Sequence, residues 1–280
     1  MTLTATKTLR QVVATCVAAA LVTVAAACTP MPAGGAGAAA DSALRHVLSS
    51  GTLKVASCLS FTPFGFTDPK GQPDGYDVDI AKELAKDMGV KLEVVDTTSS
   101  NRIPNLQTNK VDVVFCNFTR TLERAKEIAF TDPYVIATEG LLVRTGSGVT
   151  SLESMKGRTV AVVKGSTNAD VLRERGIDVK VAEFDSSQVA VLAVKQGQAD
   201  AMVEDSNYLQ YQAKLNPGLQ VVTSNLVPLE YNAFGVKQGD QVWLNYLNQF
   251  LFDLSSSGKN LELYRKWFGV DPRFPLRPAS

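Results

Sequence analysis

The sequence predicts an α/β protein of two lobes, each built on a largely parallel β-sheet flanked by helices. Short apolar runs rich in β-branched residues alternate with stretches whose apolar residues recur at helical spacing, which is the pattern of a doubly wound sheet. The alternation begins again after Tyr134, so a second unit of the same kind is inserted. Once an N-terminal leader and the tether that follows it are set aside, roughly 235 of the 280 residues remain, which is enough for two small lobes.

The leader occupies residues 1–27. Lys7 and Arg10 precede an apolar run over residues 12–27 that ends in three alanines. A basic start, an apolar stretch of this length and small residues before the cut are typical of a secretory signal, and the run is short for a membrane span. We therefore expect an exported protein, located in the periplasm or at the cell surface.

Cys28 follows the alanines directly and is similar to a lipobox cysteine, the residue that carries a lipid anchor to the membrane. Ala25 departs from that pattern, because leucine is usual at its position. The alternative is plain signal-peptidase cleavage after a pair of small residues. Residues 28–43 are rich in Pro, Gly and Ala. They are expected to form a flexible tether between the anchor and the folded domain.

The first lobe is assigned to residues 44–139. Apolar residues at positions 76, 80, 81, 84, 85 and 88 form a helical stripe that ends before Gly89, a natural C-cap. The expected elements of this lobe are, in order, the strand Thr52–Ser57, the helix Tyr76–Met88, the strand Lys91–Val95, the helix Asn101–Asn109, the strand Val111–Phe115 and a helix that starts within Glu123–Glu127.

The second lobe is assigned to residues 140–235, and residues 236–280 are expected to return to the first. Two strands, near residues 139–145 and 230–237, are expected to cross between the lobes. The other elements expected here are the strands Gly140–Arg144, Thr159–Val163, Ala199–Val203 and Asn232–Val236, and helices from Ala169, over Val189–Gln196, over Val242–Ser255 and over Leu261–Phe268.

Composition excludes several classes of function. The chain has 28 basic and 28 acidic residues, and removal of the leader leaves 26 basic residues, so no electrostatic footprint for nucleic acid exists. The single histidine, His46, lies near the start of the domain on what is expected to be a surface helix, so no Ser-His-Asp triad can be assembled from distant parts of the chain. Ligand spacing for a metal and glycine-rich phosphate loops are absent from the sequence. We expect no catalytic residue, metal or cofactor.

A hydroxyl and a guanidinium follow the strand Val111–Phe115 within one turn. They belong to Thr119 and Arg124, at a junction where the carboxyl end of a parallel strand meets a helix. The planar guanidinium matches a carboxylate in a bidentate manner, and the hydroxyl adds one donor, so the junction is suited to anion capture. The alternative is that Arg124 pairs with Glu123 or Glu127 on a solvated surface.

Two motifs in this lobe resemble those of a known family. Residues 119–124, Thr-Arg-Thr-Leu-Glu-Arg, are followed by Phe-Thr-Asp-Pro-Tyr at 130–134, and residues 75–88 begin Gly-Tyr-Asp-Val-Asp-Ile-Ala. Both resemble signatures of the family 3 solute-binding proteins of ABC transporters, which bind polar amino acids. The resemblance extends over nearly the whole chain after residue 44. It implies the type II periplasmic-binding-protein fold, with two hinge strands and a ligand cleft between the lobes.

The resemblance also implies roles for particular residues. Arg124 and Thr119 would hold the ligand's α-carboxylate, Ser166 and Thr167 would donate to it from the second lobe, and Asp205 would hold the α-ammonium. The Ser-Thr pair precedes a predicted helix, where it could equally be an ordinary N-cap. Asp205 follows a buried strand, and its alternative role is also that of a helix cap.

Further residues are expected around the ligand. Phe61 would form the cleft floor, Asn117 would offer backbone contacts, and Cys58 and Glu204 occupy positions that set side-chain choice in the family. Acidic-ligand members often have a second cation where this chain has Cys58, so the resemblance disfavours aspartate and glutamate. Arg102 is a further candidate, or it serves the fold alone.

Cys58 and Cys116 end two strands that the family fold places side by side, which implies a disulfide in an oxidising compartment. The alternative is a pair of buried free thiols.

The function implied by the resemblance is that of a monomeric substrate-binding lipoprotein of an ABC importer. It would capture a free polar L-amino acid and deliver it to a membrane permease with its ATPase. The alternative is an enzyme of the same fold, resembling periplasmic cyclohexadienyl dehydratases that act on prephenate or arogenate. Glu204 would then be the general acid.

Overall fold

The computed structural model describes residues 42–223, 226 and 229–276. The predicted signal peptide, Cys28 and the tether up to residue 41 lie outside these residues. The last two tether residues belong instead to the folded domain. Ser42 is buried, caps the first helix and donates its hydroxyl to Asp240 at 2.8 Å. In the described part of the chain, no helix combines the length and apolar character that a membrane span requires.

Strands and helices alternate as the sequence predicts. The strands are β1 (Thr52–Ser57), β2 (Ser60–Phe61), β3 (Gly65–Thr67), β4 (Pro73–Asp74), β5 (Lys91–Asp96), β6 (Val113–Thr119), β7 (Ile128–Ala137), β8 (Glu139–Arg144), β9 (Thr159–Val163), β10 (Lys180–Phe184), β11 (Ala201–Asp205), β12 (Leu219–Thr223) and β13 (Glu230–Lys237). The helices are α1 (Ala43–Ser50), α2 (Tyr76–Met88), α3 (Arg102–Gln107), α4 (Asn168–Glu174), α5 (Ser187–Gln196), α6 (Ser206–Leu215), α7 (Gln241–Ser256) and α8 (Lys259–Phe268).

The strands form two five-stranded sheets and one small sheet. The first sheet has the order β5-β1-β6-β13-β7 and, with the helices packed on it, is called lobe 1. The second has the order β10-β9-β11-β8-β12 and is called lobe 2. The small sheet, β2-β3-β4, follows β1. The two-lobed α/β fold class is therefore confirmed.

Each large sheet contains one strand that runs against the others, so the sheets are mixed. In lobe 1, β1 is parallel to β5 and β6, whereas β13 is antiparallel to β6 and β7. In lobe 2, β9 is parallel to β10 and β11, whereas β8 is antiparallel to β11 and β12. The two reversed strands, β8 and β13, are those that the chain enters directly after it crosses between lobes.

The lobe boundary after residue 235 needs a correction, since β13 pairs with lobe 1 strands from Glu230 to Lys237. The chain has therefore returned to lobe 1 by Glu230. The first crossing is short, with Thr138 alone between β7 and β8.

The chain around Arg124 also differs from the prediction. The strand expected over Val111–Phe115 is β6, which continues to Thr119 because all seven of its residues are buried and β13 pairs with its far end. The helix expected from Glu123–Glu127 is a single 3-10 turn, Arg124–Lys126, after which β7 begins at once. The sequence analysis ended this strand too early because Asn117 and Thr119 are polar. Both residues belong to the buried strand, and their side chains face the cleft and not the core.

The fold brings the carboxyl ends of β1, β5 and β6 opposite those of β9, β10 and β11. Apolar residues of β1 and β6 are fully buried beneath α2, which ends at Gly89 as predicted, with φ of 67°. The apolar core does not extend into the loops after these strands. Polar side chains can therefore occupy the loops, as is usual at this end of an open α/β sheet.

Candidate functional site

A cleft lies between the lobes, and its empty space, counted together with the part open to solvent, is about 500 Å³. Its walls come from the loops after β1, β5 and β6 on one side and after β9, β10 and β11 on the other. The lining residues are Cys58, Ser60, Phe61, Thr97, Thr98, Ser99, Arg102, Cys116, Asn117, Thr119, Arg124, Val163, Ser166, Thr167, Asp185, Ser186, Ser187, Glu204 and Asp205. Every binding residue predicted from the sequence lies in this set.

Arg124 is held by the 3-10 turn after β6 and points across the cleft. Its Nη1 donates to the carbonyl of Thr119 at 2.7 Å, and its Nη2 donates to the carbonyl of Gly165 in lobe 2 at 2.9 Å. Within the described ranges, no carboxylate lies within 4.0 Å of this guanidinium, so the alternative pairing with Glu123 or Glu127 is wrong. Burial lowers the pKa of Arg124.

Arg102 serves the fold with all of its guanidinium nitrogens. Its Nε donates to the carbonyl of Ser99 at 2.9 Å, its Nη1 to that of Cys116 at 3.2 Å and its Nη2 to that of Gly165 at 2.9 Å. The guanidinium carbon lies 4.0 Å from the centre of the Phe118 ring. Burial and the nearby positive charge of Arg124 hold the pKa of Arg102 well below its usual value.

Thr119, Ser166 and Thr167 bring hydroxyls to the cleft. Ser166 Oγ donates to the carbonyl of Val163 at 2.6 Å. Thr167 occupies the N-cap position of α4, but its side chain makes no capping hydrogen bond. Its Oγ1 lies 3.2 Å from Glu139 Oε1 instead. The alternative role of Thr167 as an ordinary cap is therefore not seen.

Asp205 ends β11 and is 3% exposed. Its Oδ2 accepts hydrogen bonds from Asn117 Nδ2 at 2.7 Å and from Asn232 Nδ2 at 2.8 Å, both in lobe 1. It sits at the N-cap position of α6 without a side-chain capping bond, so the alternative role of a helix cap is not seen either. Burial raises the pKa of Asp205.

Asn117 takes a left-handed backbone conformation, with φ of 42°. Its backbone N–H donates to Asp77 Oδ2 at 3.3 Å, and Tyr134 donates its hydroxyl to Asp77 Oδ1 at 2.7 Å. Burial raises the pKa of Asp77 to about 7. Backbone contacts alone were expected from Asn117, whereas its side chain also bridges the lobes.

Phe61 lies against the other lobe. Its ring stacks on Tyr208 of α6 with 4.3 Å between ring centres and 11° between planes. Close by, Gln212 Nε2 donates to the carbonyl of Thr62 at 2.9 Å. These contacts and those of Arg124 and Asp205 join the lobes on several sides of the cleft.

The predicted disulfide between Cys58 and Cys116 is confirmed. The two Cα atoms are 5.1 Å apart; Cys58 directly follows β1, and Cys116 lies within the parallel neighbour β6. Both residues line the cleft, so the bridge forms part of its wall.

Glu204 precedes Asp205 and is 6% exposed. Its Oε1 accepts from the backbone N–H of Asp205 at 3.1 Å, and its Oε2 accepts from Ser187 Oγ at 3.1 Å. Burial, followed by the charge of Asp205, raises the pKa of Glu204 to about 7. The sequence did not indicate Ser187, because a serine at the start of a helix is ordinary.

Two carboxyl groups near Asp205 were not predicted from the sequence. Glu139 is the first residue of β8 and Glu230 the first of β13, so each follows one crossing between the lobes. With Asp205 they form what we call the hinge carboxyl cluster. Thr167 Oγ1 lies 3.2 Å from Glu139 and 3.3 Å from Glu230, and the carboxyls of Glu230 and Asp205 share a hydrogen bond.

Within the cluster, Glu139 and Glu230 favour the neutral form. Burial first, and then the charges of Asp205 and Glu139, raise the pKa of Glu230 to about 10. Burial also raises the pKa of Glu139 well above its usual value. In the sequence, Glu139 and Glu230 each look like an acidic residue at the start of an apolar strand. Because they are far apart in the chain, nothing in the sequence indicates that their side chains lie close together.

The sequence model of the bacterial extracellular solute-binding proteins, family 3, matches residues 53–270. A curated relative is the ABC transporter glutamine-binding protein GlnH of Bacillus subtilis (strain 168), which is 36% identical over 214 residues. That alignment covers 75% of this chain and 78% of the relative.

Solved structures agree with this match. A mutant of ArgBP from T. maritima is 37% identical and has a TM-score of 0.76, with 81% of this chain and 100% of that chain covered. The ancestral amino acid-binding protein AncCDT-1, a precursor of cyclohexadienyl dehydratase, is 38% identical, also with a TM-score of 0.76 and the same coverage. Family match, identity and two-lobed fold lead to one conclusion: the chain belongs to the bacterial extracellular solute-binding proteins of family 3.

Proposed function

We propose that this protein is the substrate-binding component of an ABC importer and captures a free polar L-amino acid in the cleft. One observation carries the proposal. A guanidinium from lobe 1, Arg124, and a carboxylate from lobe 2, Asp205, line the same small cleft, and neither forms an ion pair within the described residues. Unpaired opposite charges facing one space suit a zwitterion. The glutamine-binding relative supports a polar amino acid as the ligand.

The α-carboxylate of the ligand would bind Arg124, with hydroxyl donors from Thr119, Ser166 and Thr167. Arg124 is placed for this role because its turn directs it into the cleft and its two terminal nitrogens already hold fixed carbonyl partners. A fixed fork loses little side-chain entropy on binding a carboxylate.

The α-ammonium would bind Asp205. The carboxylate of Asp205 is oriented by two amides, from Asn117 and Asn232, before any ligand contact is made. An ammonium opposite it supplies the positive charge that this buried carboxylate lacks within the described ranges. We also propose that Phe61 packs against the stem of the ligand.

The ligand favours closure of the lobes because the two charged residues of the binding site lie on different lobes. Both ends of a zwitterion are satisfied only when Arg124 and Asp205 approach each other, so the ligand favours the closed arrangement. The closed arrangement is what a permease would recognise before it accepts the ligand.

The roles of the two charged residues can be tested separately. We expect Arg124→Ala and Asp205→Ala each to weaken binding of the amino acid that gives the largest thermal shift by about 2 to 5 kcal/mol, because each leaves an opposite charge desolvated and unpaired. Isothermal titration calorimetry measures the change. Arg120→Ala is the control, since Arg120 lies in the same loop and is exposed. Affinities within about threefold of wild type in either charge variant would contradict the assignment.

The N-terminal part of the proposal concerns residues outside those described. We propose that residues 1–27 direct export and that Cys28 carries a lipid that tethers a monomeric protein to the membrane. Metabolic labelling with palmitate tests this, with Cys28→Ala as the unlabelled control. A wild-type protein that takes up no label would remove the anchor.

A dehydratase is the second candidate, and one observation favours it. The pKa of Glu204, raised to about 7 by burial, lets this side chain carry a proton near neutral pH, as a general acid must. The structural neighbour AncCDT-1 is named as a precursor of such an enzyme, but it is itself called an amino acid-binding protein. Incubation with prephenate or arogenate should give no turnover, and measurable turnover would favour the enzyme.

A further inference from the structure

We infer that the bound amino acid has a side chain that ends in an N–H donor, either an amide or a cation, and that Glu204 is the residue that selects it. This inference rests on the proposed function, since it concerns the part of the same cleft left over once the α-carboxylate and α-ammonium are placed. The charges in that remaining part that are still available to a ligand decide which side chain fits.

Positive charge in the cleft is already committed. Arg102 and Arg124 are the basic residues among those that line it. Each of the three nitrogens of Arg102 donates to a backbone carbonyl, of Ser99, Cys116 and Gly165, and the plane of its guanidinium lies over Phe118. A guanidinium has five N–H donors, and those of Arg102 also reach the carbonyl of Asn117 at 3.5 Å, so at most one N–H remains for a ligand. Arg102 therefore cannot hold a second carboxylate in a bidentate manner, and Arg124 is required for the first.

Negative charge, in contrast, remains available. Glu204 uses one hydrogen bond at each oxygen, from the backbone N–H of Asp205 and from the hydroxyl of Ser187. A carboxylate can accept about four hydrogen bonds, so two positions are left for a ligand. Both protein partners hold the Glu204 side chain at the cleft wall, where it is 6% exposed.

The surroundings of Glu204 favour a donor over an acceptor. The adjacent residue, Asp205, is a second carboxylate, and Cys58 and Phe61, which line the same cleft, carry no charge. The nearby cation is Arg102, which already donates from each nitrogen to a backbone carbonyl. A ligand carboxylate here would meet two carboxyl groups and at most one N–H of Arg102, which costs free energy through like-charge repulsion and desolvation. An amide NH₂, a guanidinium or an ammonium would instead satisfy the open positions on Glu204.

The first experiment compares ligands on the wild-type protein. Calorimetry is performed with glutamine, arginine, ornithine, glutamate and norvaline. We expect glutamine or the two cationic amino acids to bind at least about 100-fold more tightly than glutamate. The side-chain carboxylate of glutamate would place acceptor oxygens against the buried acceptor Glu204, and a mismatch of this kind strongly disfavours a ligand. Norvaline, which has no donor, should also bind more weakly. Glutamate binding within about threefold of the best ligand would overturn the inference.

The second experiment uses Glu204→Gln, which keeps size and removes the carboxylate. A cationic ligand should lose roughly 30-fold or more in affinity, whereas an amide ligand should lose about tenfold or less. The variant therefore also shows whether the side chain of the ligand ends in an amide or in a cation. In both cases the preference over glutamate should shrink. Glu183→Gln is the matched control, because Glu183 lies in the same lobe and is exposed.

Failures of the two proposals are distinguishable. Binding of none of the twenty amino acids in a thermal-shift screen would contradict the proposed function. Binding confined to amino acids whose side chains lack an N–H donor would overturn the present inference alone. Binding with an unchanged ligand preference in Glu204→Gln would overturn the role of Glu204 alone. Circular dichroism and thermal unfolding without ligand establish that the variant is folded.

Discussion

At Gly165 the two lobes approach each other closely beside the cleft. Its carbonyl accepts hydrogen bonds from both Arg102 and Arg124. A Cβ atom at this position would lie 2.7 Å from both the Cα and the backbone N of Ser100 in lobe 1. Its φ of +77° is also one that side chains other than glycine rarely adopt. The glycine therefore permits both the turn after β9 and the close approach of the lobes.

Replacement of Gly165 by alanine should weaken ligand binding, because the methyl group opposes closure. We expect an affinity loss of about tenfold or more, since only the closed form holds both ends of the ligand. Gly176→Ala is the matched control. Gly176 has φ of +64°, and a methyl group there would meet nothing within 4 Å, so it carries the same backbone strain of about 1 to 2 kcal/mol without the lobe contact. Equal affinities in the two variants, measured by calorimetry, would contradict this account.

At the scale of residues, the sequence predicted more of the cleft than of the hinge. Arg124, Thr119 and Asp205 stand at the ends of apolar strands, and parallel strands bring such ends together. Glu139 and Glu230 gave no comparable signal, because each looks like an ordinary polar residue at the start of a strand. Their proximity depends on two crossings of the chain, and crossings leave no periodic pattern in a sequence.

Among the elements, β1 and β6 are joined by the Cys58–Cys116 disulfide at the cleft. The residues that follow them, Phe61 and Asn117, contact Tyr208 and Asp205 of lobe 2. The disulfide therefore limits the movement of the segment after β1 relative to β6, both of which reach across to the other lobe.

Removal of this disulfide should destabilise lobe 1. The double replacement of Cys58 and Cys116 by serine should lower the free energy of unfolding by about 2 to 4 kcal/mol, since 58 residues separate the two cysteines and the bridge restricts the unfolded chain. Urea denaturation with and without a reducing agent measures the effect. The reductant should shift the midpoint of wild type and leave that of the serine variant unchanged. A wild-type midpoint insensitive to full reduction would contradict the prediction.

The hinge carboxyl cluster predicts a pH dependence of stability. Burial raises the pKa of Glu230 to about 10 in the folded protein, well above its ordinary value in an unfolded chain. A raised folded pKa means that the folded state binds more protons, so its contribution is present at low pH and is lost as pH rises towards 10. This contribution should therefore decline progressively from about pH 4.3, the ordinary pKa of a glutamate, up to about pH 10.

Glu230→Gln isolates this contribution, because glutamine imitates the neutral carboxyl. We expect the variant to lose less stability than wild type between pH 6 and pH 9, as measured by urea unfolding at several pH values. Glu183→Gln, on the exposed surface, should follow the wild-type curve. Parallel curves for wild type and Glu230→Gln would show that Glu230 is ionised in the folded protein.

At the scale of elements, strands were predicted better than their directions. The bounds of β1 and β9 agree with the sequence analysis, because both are buried apolar runs that end at polar loops. The reversal of β8 and β13 could not be predicted, since residues buried on both faces of a sheet show the same composition in either direction. The 3-10 turn at Arg124 was mistaken for a helix because its charged residues are also common in helices.

For the whole molecule, ligand binding should change overall shape. The lobes are joined through Arg124, Asp205, Phe61 and Gln212, contacts that separate when the cleft opens. Small-angle X-ray scattering of dialysed protein should show a smaller radius of gyration when a saturating ligand is added. Gly165→Ala should show a reduced change. An identical scattering curve with and without a bound ligand would contradict closure as the response.

The register of β7 with β13 has a consequence for how the chain could be divided. Ala137, the last residue of β7, pairs directly with Glu230, the first residue of β13. The whole of lobe 2 thus emerges from the open end of an antiparallel strand pair, where a two-residue Asn-Gly turn would suffice. Excision of residues 138–229 with such a turn in their place should give a miniature protein with its own cooperative melting transition. Lobe 2 would then be a transplantable insert, open to exchange between relatives without redesign of its host.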